Sequence, residues 1–334
     1  MNNFKKIGLS ALAGSLVATS AFAGEMSVAG SASINVEHTN GGAGDSGKTF
    51  SMGNQLTFTG SGELDNGLTV SLSFILDQGD DKGKTTSADD NAGAPFDSHS
   101  VTVSSDGLGS LTLTGEGGTT ASGKIAATAA GNLWDAFDGL GSLNGVGFQN
   151  DLLTTVSAGT NSFIYTSPEL AEGLTLVASY QPQGSNRESA TGYGINYTGF
   201  DGLTLNYATT DMVGSTAALS GDNKVMKVSY AMGSFTGTYS NLDHSTGTVA
   251  SNSESTSFAV SYSVTDELSI TYGQESHESG TASDEDADIS GISFAYTSGG
   301  MTLSGSMKDG ENLSYTTATV EDREQWTLGA SFAF

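Results

Sequence analysis

A possible phosphate-binding motif occurs near the N-terminal end of the chain, where residues 42–49 match G-x-x-x-x-G-K-[ST]. In that motif, backbone amides of a loop and of the helix that follows it bind phosphate groups. Apolar residues follow here with a period of two, at Phe50, Met52 and Leu56. This period predicts a strand rather than a helix. We therefore expect no nucleotide site at this position.

Other arrangements that resemble catalytic motifs also lack the partners that their chemistry requires. Residues 291–295 nearly match a serine-hydrolase elbow, but they lie inside an alternating segment with no helix after it. The chain has no cysteine, which excludes thiolate metal sites, a cysteine nucleophile and disulfides. The histidines are not paired at metal-ligand spacing; they are His38, His99, His244 and His277. We expect no enzymatic activity and no organic cofactor.

Carboxylates dominate the charge, with 37 Asp and Glu against 11 Lys and Arg, for a formal net charge of -26. This balance argues against nucleic-acid binding, because neutralising phosphates requires cations. Carboxylates on loops can also bind Ca²⁺ through oxygen ligands. The candidate calcium ligands are Asp284, Glu285, Asp286 and Asp288, although their spacing matches no known calcium loop.

The first 23 residues have the organisation of a secretory signal peptide. Lys5 and Lys6 precede a short apolar run, and Ala21 and Ala23 form an A-x-A cleavage site. We expect cleavage after Ala23, which leaves residues 24–334 as one exported domain.

The exported part alternates apolar and small polar residues almost throughout, as in Phe258, Val260 and Tyr262 against Ser257 and Ser261. A soluble β-sandwich also alternates, but its wet face carries charged residues. Here the polar face is mostly Ser, Thr and Gly, and only 14% of all residues are charged. An apolar face toward lipid and a polar face toward water fit a closed transmembrane barrel, which satisfies every backbone group.

The spacing of turns predicts an all-β, antiparallel up-and-down barrel of about sixteen strands, with short connections at one rim and long ones at the other. Tyr197, Tyr230, Tyr262 and Tyr296 recur once per hairpin just before a short turn, where aromatic rings favour the membrane interface. The predicted strands are 25–38, 48–62, 67–78, 97–105, 109–116, 161–167, 173–181, 190–199, 202–210, 223–231, 234–243, 254–264, 267–276, 288–297, 300–308 and 323–334.

Two segments resemble Gram-negative general porins of the α-proteobacterial type. Residues 161–170 (NSFIYTSPEL), followed by the sequence GLTL at 173–176, resemble the porin segment after the third loop. The C-terminal strand resembles the porin assembly signal, which the outer-membrane barrel-insertion machinery recognises. Its candidate residues are Trp326, Leu328, Phe332 and Phe334. The resemblance implies a trimer, and a third loop, residues 117–160, that folds into the lumen.

In this interpretation the long loop narrows the pore. Asn132 is expected to cap one or two helical turns, in which Trp134 and Phe137 pack on the wall. The loop also carries acids at Asp135, Asp138 and Asp151. Strand alternation places further charged residues in the lumen, namely Glu37, Asp77, Glu116, Lys227, Lys308 and Arg323.

The sequence therefore predicts an outer-membrane porin for passive diffusion of small hydrophilic solutes and ions, with a preference for cations because of the negative charge. One alternative is a channel selective for a sugar, an amino acid or a metal cation. Another is a secreted acidic β-rich adhesin. The expected partners are outer-membrane lipid, lipopolysaccharide, the assembly machinery and two further copies of the chain. Divalent cations that bridge the acidic loops to lipopolysaccharide phosphates are an alternative to a specific calcium site.

Overall fold

A computed structural model of the chain shows a closed barrel in which every strand is antiparallel to its two neighbours. The structure describes residues 26–41, 47–77, 98–137, 161–182, 187–214, 217, 220–249, 252–281, 285–313, 315 and 322–334. Sixteen strands lie within these ranges, and β1 pairs with β16 to close the sheet. The predicted fold class and strand number are confirmed.

The strands follow the sequence order around the barrel. They are β1 (Met26–Asn40), β2 (Gly47–Glu63), β3 (Thr69–Asp77), β4 (Ser98–Ser105), β5 (Gly109–Glu116), β6 (Ser162–Thr166), β7 (Leu174–Gln181), β8 (Arg187–Phe200), β9 (Leu203–Gly214), β10 (Gly221–Met232), β11 (Phe235–Thr246), β12 (Ser253–Ser263), β13 (Leu268–Ser279), β14 (Ala287–Ser298), β15 (Met301–Glu311) and β16 (Arg323–Ala333).

The two faces of the barrel wall differ as the alternation predicts. Large apolar side chains such as Met52, Phe258 and Ile292 are exposed on the outer face. The inner face carries Ser, Thr and other small residues, and its buried members include Ser179, Ser240 and Ser257. Since water would oppose so much exposed apolar surface, the outer face requires a lipid environment.

Glycine occupies the short turns where the backbone needs a positive φ. Gly202, between β8 and β9, has φ 75°, and Gly299, between β14 and β15, has φ 59°. L-residues with a Cβ adopt this region at a cost, so glycine favours these tight connections. Tyr230, Tyr262 and Tyr296 lie just before such turns and are exposed on the outer face.

The strands extend further toward the long-connection rim than the sequence predicts. Asp211 and Asp222, expected to bound a loop, pair directly across β9 and β10. Beyond the predicted end of β11 at residue 243, Ser245 pairs with Asp222 and Thr246 pairs with Gly221. The apolar alternation ends before these positions, but backbone pairing continues toward the rim. A strand segment that lies outside the apolar band of the barrel does not need apolar side chains.

The seam between the chain ends is closed by the last residue. The backbone amide of Gly30 donates to the Phe334 carbonyl at 2.7 Å, and the Phe334 amide donates to the Gly30 carbonyl at 3.0 Å. Within the described ranges, the structure outside the barrel wall includes two short 3₁₀ helices, Gly123–Ile125 and Leu133–Phe137. No helix among these residues is long and apolar enough to cross a membrane.

Candidate functional site: the constriction loop and the lumen wall

The connection after β5 folds into the barrel and follows its inner wall. Its backbone amides donate to inward hydroxyls of β7, β11 and β12: Ala121 to Ser179 Oγ at 2.8 Å, Ala129 to Ser240 Oγ at 2.8 Å and Ala130 to Ser257 Oγ at 3.0 Å. At the far end, Gln325 of β16 donates to the Ala136 carbonyl at 2.9 Å. The described part of this loop, residues 117–137, therefore follows the wall from β7 to β16; we call it the constriction loop.

Glycines on the wall allow the loop to lie close to it. A Cβ added to Gly273 would lie 2.5 Å from the Ala130 Cβ, and one added to Gly291 would lie 3.0 Å from Leu133 Cδ2. A Cβ at Gly310 would similarly lie 3.1 Å from Phe137 Cε2. The inward glycines of β13, β14 and β15 thus form a shallow trough that the loop fills.

Apolar side chains fix the loop at two places. Trp134 and Phe137 are 6% and 3% exposed and pack with Leu133, Ile289 of β14 and Leu313 of the last long connection. Nearer the start of the loop, Ala126 packs with Val225 and Leu242 of β10 and β11. The wall contact expected of Trp134 and Phe137 is thus present in the structure.

Asn132 does not cap the helical turn with its side chain, contrary to the sequence-based expectation. It has φ 59°, and its Oδ1 accepts a hydrogen bond from the Thr128 amide at 2.9 Å. The first amides of the 3₁₀ helix, those of Leu133 and Trp134, instead donate to Glu275 of β13. Asn132 closes the preceding turn because asparagine tolerates a positive φ, whereas a carboxylate distant in sequence caps the helix.

Glu275 is a site residue that the strand pattern did not predict. It is 2% exposed, and its carboxylate also accepts hydrogen bonds from Thr128 Oγ1 and His277 Nε2. One signal was available in the sequence. Glu275 occupies an inward position of its strand, and His277, two residues later on the same face, is a partner for its charge.

The strand pairing places two of the three predicted wall acids on the inner face and does not assign the third. Glu37 lies on the inner face of β1 and accepts a hydrogen bond from Thr49 Oγ1 at 3.2 Å. Asp77 pairs with Gln55 on the inward register of β2 and β3. The register shifts between His99 and Ser100, just before Glu116, so strict alternation no longer assigns Glu116 to the lumen.

The predicted lumen bases hold the loop or lie beside carboxylates. Lys227 Nζ donates to the Ala127 carbonyl at 2.9 Å. Lys308 interacts electrostatically with Asp135, Glu275 and Glu37. Arg323 is buried and donates to the Asp322 carbonyl at 3.2 Å. On the loop itself, Asp135 is exposed, and Lys124 donates to Thr166 Oγ1 at 3.2 Å.

The remaining predicted residues fall into three groups. Asp138, Asp151 and Asp284 lie outside the described residues. Glu285, Asp286 and Asp288 are exposed, and the described ranges contain no group of three or more His, Asp or Glu side chains that could hold a metal, so the calcium site remains a prediction. The candidate assembly residues lie on the outer face of the last strand or just beyond it; they are Trp326, Leu328, Phe332 and Phe334.

A closed barrel with an apolar outside, a hydroxyl-rich inside and an inward-folded loop is built to let solutes pass through a membrane. A family model described as Gram-negative porin matches residues 8–334. The chain belongs to the Gram-negative porin family. It is an outer-membrane channel protein, and the family points to a channel rather than to an enzyme.

Solved porins share this fold at low sequence identity. An anion-selective porin from Comamonas acidovorans has 17% identity and a TM-score of 0.66, over 93% of this chain and 99% of that chain. A mutant of the Rh. blastica porin has 16% identity and a TM-score of 0.64, over 93% and 100%. A loop-deletion mutant of OmpT, an outer membrane protein of Vibrio cholerae, has 15% identity and a TM-score of 0.63, over 92% and 99%. A comparison with curated proteins finds no match.

Proposed function

We propose that this porin is a passive channel for small hydrophilic solutes and ions, and that it prefers cations. The observation that carries the preference is the uneven distribution of charge in the lumen. The constriction loop follows the wall from β7 to β16 and leaves β1 to β5 uncovered. The described inward positions of β1 to β5 include the acids Glu37 and Asp77 and no Lys or Arg.

The described lumen bases do not form an opposing positive surface. Lys227 is bonded to loop carbonyls, and Lys308 has carboxylates from three parts of the chain around it. A pore lined in this way has a negative potential, which concentrates cations and disfavours anions. The Comamonas porin is anion-selective, but at 17% identity it shares only the fold, so ion preference must follow from the lining of this chain.

The passive character of the channel rests on the chemistry of the wall. Its inward residues on β1 to β5 are mainly Ser and Thr, for example Ser73, Thr102 and Thr112. Hydroxyls of this kind replace water around a solute without holding it tightly, which favours fast passage over recognition.

Single-channel recording on the purified protein tests this function. We expect conductance to rise in proportion to KCl concentration and to show no saturable block when sugars or amino acids are added. Saturable block by one solute class would overturn the general channel and favour the substrate-selective alternative. The absence of any conductance from a correctly folded barrel would overturn both.

The cellular setting proposed for the protein has several further parts. Export removes residues 1–23, the assembly machinery recognises the last strand, and the barrel forms a homotrimer among lipid and lipopolysaccharide. N-terminal sequencing of protein from the outer membrane should begin at Gly24. Crosslinking and light scattering in detergent should give the mass of three chains, and the mass of one chain would contradict the trimer.

A further inference from the structure

The outer face of the barrel carries a row of polar side chains on the strands that close the sheet. Asp309 of β15 pairs directly with Ser290 of β14 on one side and with Glu324 of β16 on the other. Glu324 in turn pairs with Asn40 of β1. These four positions alternate with the inward positions of their strands, so all four side chains lie on the outer face. We call them the polar row.

An apolar row lies beside the polar row, two residues closer to the short-connection rim. Met307 pairs with Ile292 of β14 and with Trp326 of β16, and the row continues to Tyr272 of β13 and His38 of β1. Met307 and Ile292 are 67% and 49% exposed. A lipid chain that lies along these apolar side chains therefore has its headgroup beside the polar row.

The two rows border a recess of ≈ 480 Å³ in the outer face. Ser290 has a short side chain, and longer side chains enclose the space beside it, namely Tyr272 on one side and His38 with Trp326 on the other. Gln274 Nε2 donates to the Tyr272 hydroxyl at 2.7 Å, and the ring centroids of His38 and Trp326 lie 6.3 Å apart. The recess is thus formed by the chain itself, and its volume is that of a small-molecule site.

The charge at the recess is negative. Asp309 and Glu324 lie directly opposite each other on neighbouring strands, and like charges in this arrangement repel. Asp322 adds to the repulsion at Asp309. Among the described residues, the outward positions of β13 to β16 and of β1 carry no Lys or Arg. A positively charged headgroup relieves this repulsion, whereas an additional anion increases it.

The chemistry of the polar row favours a primary ammonium group. A primary ammonium has three N–H donors, and the two carboxylates offer acceptors for them. Such charge-assisted hydrogen bonds are stronger than neutral ones. A quaternary ammonium has the same charge but no N–H group to donate.

We propose that the recess binds a membrane lipid with a primary ammonium headgroup, such as phosphatidylethanolamine. The ammonium donates to the carboxylates of Asp309 and Glu324, and one acyl chain lies along the apolar row. The proposal goes beyond the channel function, because the recess lies on the lipid side of the wall and not in the lumen.

Quenching of tryptophan fluorescence by lipids with brominated chains tests the site. The chain has two tryptophans, and Trp326 reports on lipid because Trp134 is buried inside the barrel. The purified porin is placed in phosphatidylcholine vesicles with EDTA, and a brominated lipid is added in increasing mole fraction. We expect phosphatidylethanolamine to reach half-maximal quenching at a mole fraction roughly three- to tenfold lower than phosphatidylglycerol with the same chains. Equal mole fractions would overturn the proposal.

Brominated phosphatidylcholine separates hydrogen bonding from charge. It has the net charge of phosphatidylethanolamine, but its headgroup has no N–H donor. We expect it to require a higher mole fraction than phosphatidylethanolamine. Quenching by the two lipids at equal mole fractions would overturn the assignment of a primary ammonium ligand.

Neutralising the carboxylates of the recess should remove the lipid preference. In Asp309→Asn with Glu324→Gln, we expect phosphatidylethanolamine and phosphatidylglycerol to quench at similar mole fractions. The matched control is Asp288→Asn with Glu311→Gln, which removes two charges that also lie directly opposite each other, on β14 and β15, but outside the recess. Equal loss of preference in both double variants would show that general surface charge is responsible, and the site would be overturned.

Filling the recess tests its shape without a change in charge. In Ser290→Phe, the added ring occupies the space beside Tyr272, so we expect the preference for phosphatidylethanolamine to disappear. Gly237→Phe is the control, because a Cβ at this position of β11 meets nothing within 4 Å. A preference that persists in Ser290→Phe would overturn the site.

Two other occupants would give different results. A preference for phosphatidylglycerol that requires Ca²⁺, with no preference for phosphatidylethanolamine in EDTA, would identify a cation-bridged phosphate and overturn the proposal. Absence of quenching by every brominated lipid, in protein that has the mass of three chains, would show that a partner subunit covers the recess and would also overturn it. None of these measurements uses ionic current, so a failure of the proposed ion preference leaves the lipid site unaffected.

Discussion

The Lys308 ammonium lies near carboxylates from three separate parts of the chain: Glu37 on β1, Asp135 on the loop and Glu275 on β13. Three carboxylates thus interact with one ammonium group where the loop contacts the wall. Because Glu37 is only half-buried and lies on the lumen face, its charge acts on passing ions as well as on Lys308.

Neutralising Glu37 should therefore reduce cation preference. In Glu37→Gln we expect the ratio of potassium to chloride permeability to fall about two- to fivefold, since one charge at close range in water contributes about 1 kcal/mol. Reversal potentials measure the ratio directly. Glu324→Gln removes an equal charge from an exposed position on β16. If both variants changed the ratio equally, net charge rather than the lumen position would be responsible.

At the scale of elements, the strand glycines and the loop form one packed unit. A valine at Gly291 would place its Cβ 3.0 Å from Leu133 and 3.3 Å from Lys308 Cγ, where the wall strand cannot retreat because it is paired on both sides. The loop is the part that can move, and the only space available to it is the lumen.

Gly291→Val should lower single-channel conductance by pushing the loop inward, at a cost in stability of about 1–3 kcal/mol for overpacking. Gly237→Val is the control, because a Cβ at Gly237 meets nothing within 4 Å. Conductance of Gly291→Val equal to that of the control would show that the loop is not seated on β14.

The seam between β1 and β16 depends on another close approach. A Cβ at Gly30 would overlap the ring of Phe334, whose backbone forms two hydrogen bonds with Gly30. Because Gly30 has no side chain, the ring of Phe334 can pack against β1, where β1 and β16 close the barrel.

Gly30→Val should weaken barrel closure, and the folded form should convert to the slower-migrating unfolded form at a lower temperature in heated gel samples. Gly60→Val, on the neighbouring strand, has open space around the added side chain and should behave as the unmodified protein. Equal conversion temperatures in both variants would contradict the proposed role of Gly30.

The alternation of small polar and apolar residues is sufficient to predict the strands. In a membrane barrel the outer face of every strand contacts lipid and the inner face contacts water. The alternation does not predict where the strands end at the long-connection rim, since backbone pairing at Asp211 and Asp222 continues above the apolar band. It also does not predict the role of Glu275, because three of the four donors that it binds lie on a loop more than a hundred residues earlier in the chain. Side-chain parity alone placed Glu116, and one bulge was enough to undo that assignment.

For the whole molecule, a formal charge of -26 is compatible with a barrel wall of mostly neutral side chains because the described acids other than Glu275 lie where water or ions can reach them. Some line the rim in directly paired positions, such as Asp243 and Glu254, and others face the lumen. Among the described bases, Lys227 is bonded to the loop, Lys308 interacts with three carboxylates and Arg323 donates to a backbone carbonyl. The proposed field along the pore is therefore negative.

The sign of the lumen potential can be measured as the reversal potential of the purified porin in a KCl gradient. We expect the sign set by potassium, with potassium more permeant than chloride, and a preference that weakens as salt screens the lumen charges. A reversal potential of the opposite sign, with chloride more permeant, would contradict it.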